Sequence, residues 1–98
     1  MSTFGIIHRF AGGTKEQYDE SLKHVHPADG SLPAGQTFHA AGATDDGFVV
    51  VALWDSRESW ERFRDDTLTP GLEAAGDAGF PAPPQETTFE IHNEQTGG

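Results

Sequence analysis

Cysteine is absent from this chain, which excludes a disulfide framework, an iron–sulfur cluster and a thiol nucleophile. Basic residues are scarce: 6 Lys and Arg stand against 16 Asp and Glu, for a net charge of −10. A surface that acidic repels a phosphate backbone and an anionic membrane alike, so no nucleic acid and no membrane partner is expected. No apolar run approaches the roughly 20 residues that span a bilayer, and the first residues lack the apolar core of a secretory signal. The expected location is therefore cytoplasmic. Apolar residues are only 35% of the 98 positions, and seven Phe and two Trp carry most of the area that can be buried. A single domain over residues 1–98 is expected, with a disordered tail from about Glu94.

What the chain does have is an abrupt change of hydrophobic period. Phe48 to Trp54 is a near-continuous apolar, β-branched run, long enough for one buried strand and too short for a buried helix. From Trp60 the spacing turns helical, with Phe63, Thr67 and Leu68 three, seven and eight positions on. Asp55 or Ser56 can cap that helix, and Glu58 stands three after Asp55 as in a capping box. Ahead of the strand, Thr44-Asp-Asp-Gly47 is a turn signal, with Gly47 free to take a positive φ.

The same reading extends to both ends. Thr3 to Phe10 is a first strand, and Thr14 with Gln17 forms a capping box for a helix whose apolar stripe is Tyr18, Leu22 and Val25. Pro27 and the loop to Gly35 stop that helix. Gln36 to Ala43 is a second strand. Pro70-Gly71 is expected to break or kink the second helix, with Leu72 to Ala75 as its last turn. After the Gly/Pro-rich stretch 76–84, Thr87 to Asn93 is the last strand. The order is β-α-β-β-α-β. Two right-handed crossovers then give an α+β, ferredoxin-like antiparallel sheet in the order 4-1-3-2, with both helices on one face. The other face is left bare, and a homodimer packed sheet to sheet, a dimeric α/β barrel, would cover it.

Alternation along each strand suggests which side chains meet the helices. Phe4, Ile6, His8 and Phe10 form the inward set of the first strand. Phe38 and Ala40 are inward on the second, and Phe89, Ile91 and Asn93 on the last. His39 and His92 then share the open face, with Arg9 and Glu90 nearby. A one-residue slip would reverse any of these assignments.

The segment Phe48-Val-Val-Val-Ala-Leu-Trp54-Asp55-Ser56-Arg57-Glu58-Ser59-Trp60 resembles the strand–helix joint of the antibiotic biosynthesis monooxygenase-like families of the dimeric α/β-barrel superfamily. The chain is most similar to small uncharacterised members with a Phe-His-x-Ala-Gly second strand, here Phe38 to Gly42, and a His-Asn pair, here His92-Asn93. The resemblance implies cofactor-independent oxidation of polyphenolic substrates, haem degradation or cyclisation. In the polyketide monooxygenases a Trp at the strand end acts with an Asn four residues before it and a Tyr six after. Trp54 matches that Trp, while the other two positions hold Val50 and Trp60. The haem-degrading pattern needs an Asn on the first strand and a His on the second helix, and this chain has neither.

Several residues could carry chemistry. His8, amid Phe4, Ile6 and Phe10 and expected beside Asn93, is either a general base or acid, or a core histidine satisfied by a backbone partner. His39 and His92 could meet across a dimer as a catalytic pair or as a polar seal of the interface. Tyr18, Trp54, Trp60 and Phe38 either fill the core or line a pocket for a flat apolar ligand. His24 and His26 are two apart on a helix, unlike the i, i+4 pairs that chelate, so no metal is expected, and no cofactor either. The functional expectation is a small cofactor-independent enzyme acting on an aromatic or polyketide-like molecule, by oxygenation or by a proton-transfer cyclisation or isomerisation. The alternative is a non-catalytic small-molecule or haem-binding dimer.

Overall fold

Eight residues, Phe4–Ala11, form β1 at the centre of the sheet, buried over the first three and more exposed toward Ala11. The computed structural model describes residues 2–25, 31–75 and 84–95. After β1 come α1 (Lys15–Val25), the hairpin β2 (Gln36–Thr44) and β3 (Gly47–Trp54), then α2 (Arg57–Phe63), α3 (Thr69–Ala75) and β4 (Gln85–Glu90). The sheet is antiparallel in the order β2-β3-β1-β4. The expected ferredoxin-like topology is the one found.

Local sequence signals place the helices. Thr14 N–H donates to Gln17 Oε1 and Gln17 N–H to Thr14 Oγ1, closing the capping box of α1. At α2 the cap is Ser56 rather than Asp55: Ser56 is extended, and its hydroxyl accepts from Ser59 N–H at 3.1 Å.

The helical run is not stopped at Pro70-Gly71 but continues to Ala75. Its ladder widens instead into a π turn over Arg64–Leu68, where Thr69 N–H donates to Arg64 O five residues back. Proline contributes no N–H to an α ladder, and a wide turn just before Pro70 accommodates that loss. Gly71 has a different use. A Cβ there would lie 2.5 Å from Val25 Cγ1, so its absence lets α3 lie directly on the end of α1.

Gly47 is also explained by space. It has no positive φ, and an added Cβ would meet Phe10 O at 2.1 Å. The hairpin turns on Asp45 and Asp46 alone, with Thr44 paired to Gly47.

The core lies between the sheet and the helices. Phe4, Ile6, Ala52, Trp54 and Trp60 are buried together, with Phe63 and Leu68 packed on them. Trp54 and Ile6 are essentially fully enclosed, each stabilising the fold by about 1.5–3 kcal/mol through burial.

Two strands face the opposite way from expectation. On β2 the pairing shifts between Gln36 and Phe38, so Phe38 opposes Leu53 and His39 opposes Ala52. His39 therefore points toward the helices, and Phe38 stands 46% exposed on the open face. One bulged residue, Thr37, reverses the whole strand.

On β4 the pairs are Gly5↔Phe89, Ile6↔Thr88 and His8↔Glu86. Phe89 covers Gly5 on the open face, where a Cβ would lie 2.2 Å from the Phe89 ring. The strand also ends at Glu90, so His92 and Asn93 lie beyond it and are exposed. Glu94 reaches back to the start of the chain, its carboxylate accepting from Ser2 N–H at 3.2 Å and from Ser2 Oγ at 3.0 Å.

Candidate functional site

Because cross-strand partners project to the same side of a sheet, Ile6, His8, Val50, Ala52, Trp54, Gln36 and His39 all rise from the face beneath the helices. Helices α1, α2 and α3 do not fill the space above them. A cavity of about 350 Å³ remains, lined by these side chains together with Tyr18, Ser21, Trp60, Phe63, Leu68 and Glu86, among others. Its volume lies in the range of small-molecule sites.

One wall is built by β1 and β4. His8 Nε2 and Glu86 Oε1 are 3.0 Å apart, the carboxylate accepting from the ring. The His8 side chain is only 12% exposed, and its ring is tilted against Trp60 with centroids 5.5 Å apart. Trp54, Trp60 and Phe63 continue the wall as an aromatic cluster, with centroids 5.1–6.3 Å apart.

The facing wall belongs to α1 and β2. Tyr18, from the apolar stripe of α1, shares a 2.6 Å hydrogen bond between its hydroxyl and His39 Nε2. The two rings stack at 6.1 Å, and Tyr18 also packs on Phe48 at 5.1 Å. Burial, and secondarily the charge of Asp19, raises the Tyr18 phenol above its ordinary pKa. Burial likewise lowers that of His39. Both groups are therefore held neutral at pH 7.

A third feature closes the end of the cavity nearest the β3–α2 joint. Trp54 Nε1, Gln36 Oε1 and Ser21 Oγ are buried side-chain atoms with no hydrogen-bond partner among the described residues. Gln36 and Trp54 are cross-strand partners, and Ser21 lies one helical turn beyond Tyr18. Unpaired buried polar atoms are costly and normally find a partner. Here one donor, one acceptor and one hydroxyl stand without partners in residues that border the apolar cavity, each enclosed by its neighbours.

Of the residues expected at a site, His8, Tyr18, His39, Trp54 and Trp60 line this cavity. Phe38, His92 and Asn93 do not. Phe38 lies across the sheet, and the other two lie past the end of β4, so Asn93 does not stand beside His8, and His39 faces the helices and not the open face from which it was expected to meet His92 across a dimer. The missed residue is Glu86. Its sequence surroundings, a Pro-rich stretch before a short strand, carry no catalytic signal, and only the β1–β4 register brings it to His8. Among the described residues no group of three His, Asp or Glu is disposed to hold a metal ion, and no helix is long and apolar enough to cross a membrane.

No family profile and no curated protein sequence matches the chain. Solved structures do match, at full length. A protein of unknown function from Nitrosomonas europaea aligns with a TM-score of 0.70 at 14% identity, covering 100% of this chain and 97% of its own. A putative antibiotic biosynthesis monooxygenase from Chloroflexus aurantiacus gives 0.68 at 15%, covering 97% and 98%. A monooxygenase from Streptomyces coelicolor, solved with nanaomycin D, gives 0.63 at 19%, covering 99% and 94%. The chain thus resembles the antibiotic biosynthesis monooxygenase-like proteins, and at these identities the likeness is one of fold.

Proposed function

We propose that this protein is a small cofactor-independent enzyme that acts on an aromatic or polyketide-like molecule, with His8 as its general base. The observation that carries the reading is the His8–Glu86 pair on the wall of an apolar cavity. A carboxylate that accepts from Nε2–H fixes the tautomer of His8, leaves Nδ1 as the proton acceptor, and stabilises the imidazolium that forms. Tyr18 and Trp60 provide ring surface for an aromatic substrate, with Trp54 enclosed behind Trp60, and the solved neighbour with nanaomycin D supports the size and class of ligand. Proton abstraction of this kind serves either oxygenation of an electron-rich substrate or its isomerisation or cyclisation.

The enzyme works as a homodimer in this reading. Ile7, Val49, Val51, Leu53, Phe38 and Phe89 share the sheet face away from the helices, and none of the described helices covers it. An apolar face on a small domain is best covered by its own copy across a two-fold axis.

The test is turnover without added cofactor on a panel of hydroxynaphthalenes and tetralones. His8→Gln should lower kcat by about 10²–10⁴-fold while leaving the fold intact. Unchanged turnover in His8→Gln removes the base assignment. Tight binding of the panel with no turnover by the unmodified protein supports instead the second reading, a non-catalytic binder. That reading draws on Val50 and Trp60 standing where the polyketide monooxygenases have Asn and Tyr.

A further inference from the structure

The cavity carries a second proton-transfer pair that the base assignment does not use. His8 with Glu86 lies on the β1–β4 wall and Tyr18 with His39 on the α1–β2 wall. Val50 and Ala52 of β3 lie between the two. Two strand spacings across and two residues along the sheet set the His8 and His39 Cα atoms about 12 Å apart. A flat molecule of two or three fused rings, lying on the β3 floor, would touch both pairs.

We propose that Tyr18 is a catalytic proton donor, positioned by His39, and that the reaction is a redox-neutral proton shift on an enolisable ketone carried on an aromatic ring system. The inference rests on His8 being the base. His8 takes a proton from the carbon next to the carbonyl, and the C–H electron pair becomes the new carbon–carbon double bond. The carbonyl π pair takes the Tyr18 hydroxyl proton, forming the enol. The tyrosinate that remains is held by His39 Nε2–H. The enol proton then returns to Tyr18, and the imidazolium proton of His8 goes to the γ carbon of an enol conjugated with a further double bond. In a substrate with a second carbonyl, the enol carbon attacks that carbonyl instead, and its oxygen takes the imidazolium proton. Nothing is oxidised, so no oxidant or reducing cofactor enters.

The electrostatics suit these roles. A raised phenol pKa keeps Tyr18 protonated, hence a donor. A lowered imidazole pKa keeps His39 neutral, so it can offer one N–H to the phenol oxygen without carrying a charge into the cavity. Trp54 Nε1 and Gln36 Oε1 are buried away from the open space of the cavity, so the polar groups available to a ligand are the two histidine pairs and the Arg64 side chain in its lining.

The probe is 2-tetralone in D2O, with loss of its benzylic α-hydrogens followed by NMR. The unmodified protein should accelerate exchange above buffer. Tyr18→Phe should lower kcat by about 10²–10³-fold with KM changed less than about threefold. His39→Gln, whose amide N–H can still donate to the phenol oxygen, should stay within about tenfold of the unmodified protein, while His39→Leu should fall to the level of Tyr18→Phe. A purely structural role for His39 would make the two His39 variants alike. No acceleration by the unmodified protein, or full activity in Tyr18→Phe, overturns the proposal. Full activity in His8→Gln together with loss in Tyr18→Phe leaves Tyr18 as donor and overturns the base assignment instead.

Discussion

His8 and Glu86, 78 positions apart in the chain, face each other directly across β1 and β4, with Nε2 3.0 Å from Oε1. The contact is unequal: the His8 side chain is 12% exposed and that of Glu86 48%. A half-exposed carboxylate adds little to stability but can still orient a buried ring. Glu86→Gln should therefore leave the free energy of unfolding in urea within about 0.5 kcal/mol of the unmodified protein and lower kcat by about 10–100-fold. Equal activity in the two proteins would show that Glu86 does not orient His8.

Tyr18 is the only tyrosine in the chain, so the absorbance change of phenolate formation reports on it alone. Its pKa is raised by burial, and the midpoint in the folded protein should lie above the value of 10.0 expected in urea. Since the folded state holds the proton more tightly, its contribution to stability is present below pH 10 and is lost as the pH rises through the folded-state midpoint. A midpoint at or below 10 would mean that the phenol is solvated.

The sign is opposite for His39. Its folded-state pKa is depressed by burial from 6.5, so the unfolded chain binds the proton first as the pH falls. Stability from this group is therefore complete above about pH 6.5 and declines below it. Thermal melts between pH 7.5 and pH 5 should show a falling Tm, with a shallower fall in His39→Gln. Parallel curves for the two proteins would count against the burial of this ring.

Trp54 is 0% exposed, and its Nε1 has no partner among the described residues. Trp54→Phe should cost about 1–3 kcal/mol through lost packing alone, and Trp54→Ala about 3–5 kcal/mol. Denaturation followed by the fluorescence of the remaining Trp60 measures both.

Val51 opposes Ile7 in the middle of the uncovered sheet face. Val51→Asp places a charge there and should convert a dimer to a monomer by light scattering at micromolar concentration, with the cavity on the other face untouched. A protein that is already monomeric at that concentration removes the sheet-to-sheet arrangement.

Much of the fold was legible in one dimension because it is encoded by periodicity and local chemistry. The run from Phe48 to Trp54, the capping residues Thr14, Gln17 and Ser56, and the Asp45-Asp46 turn each act within a few residues of themselves. Element order then restricts the topology, since crossover handedness leaves few ways to arrange four strands. The inward set of β1 followed from alternation alone, and with it the placement of His8.

The composition of the site was decided elsewhere. A bulge at Thr37 turned His39 toward Tyr18 and Phe38 away from the helices, while the β4 register put Glu86, not Asn93, opposite His8. Strand faces repeat every two residues, so an error of one residue exchanges the cavity for the open surface. That choice is made by packing over the whole sheet, as Phe89 settling over the bare backbone of Gly5 shows. No window of the sequence contains both partners, so only the tertiary structure could decide which side chains meet.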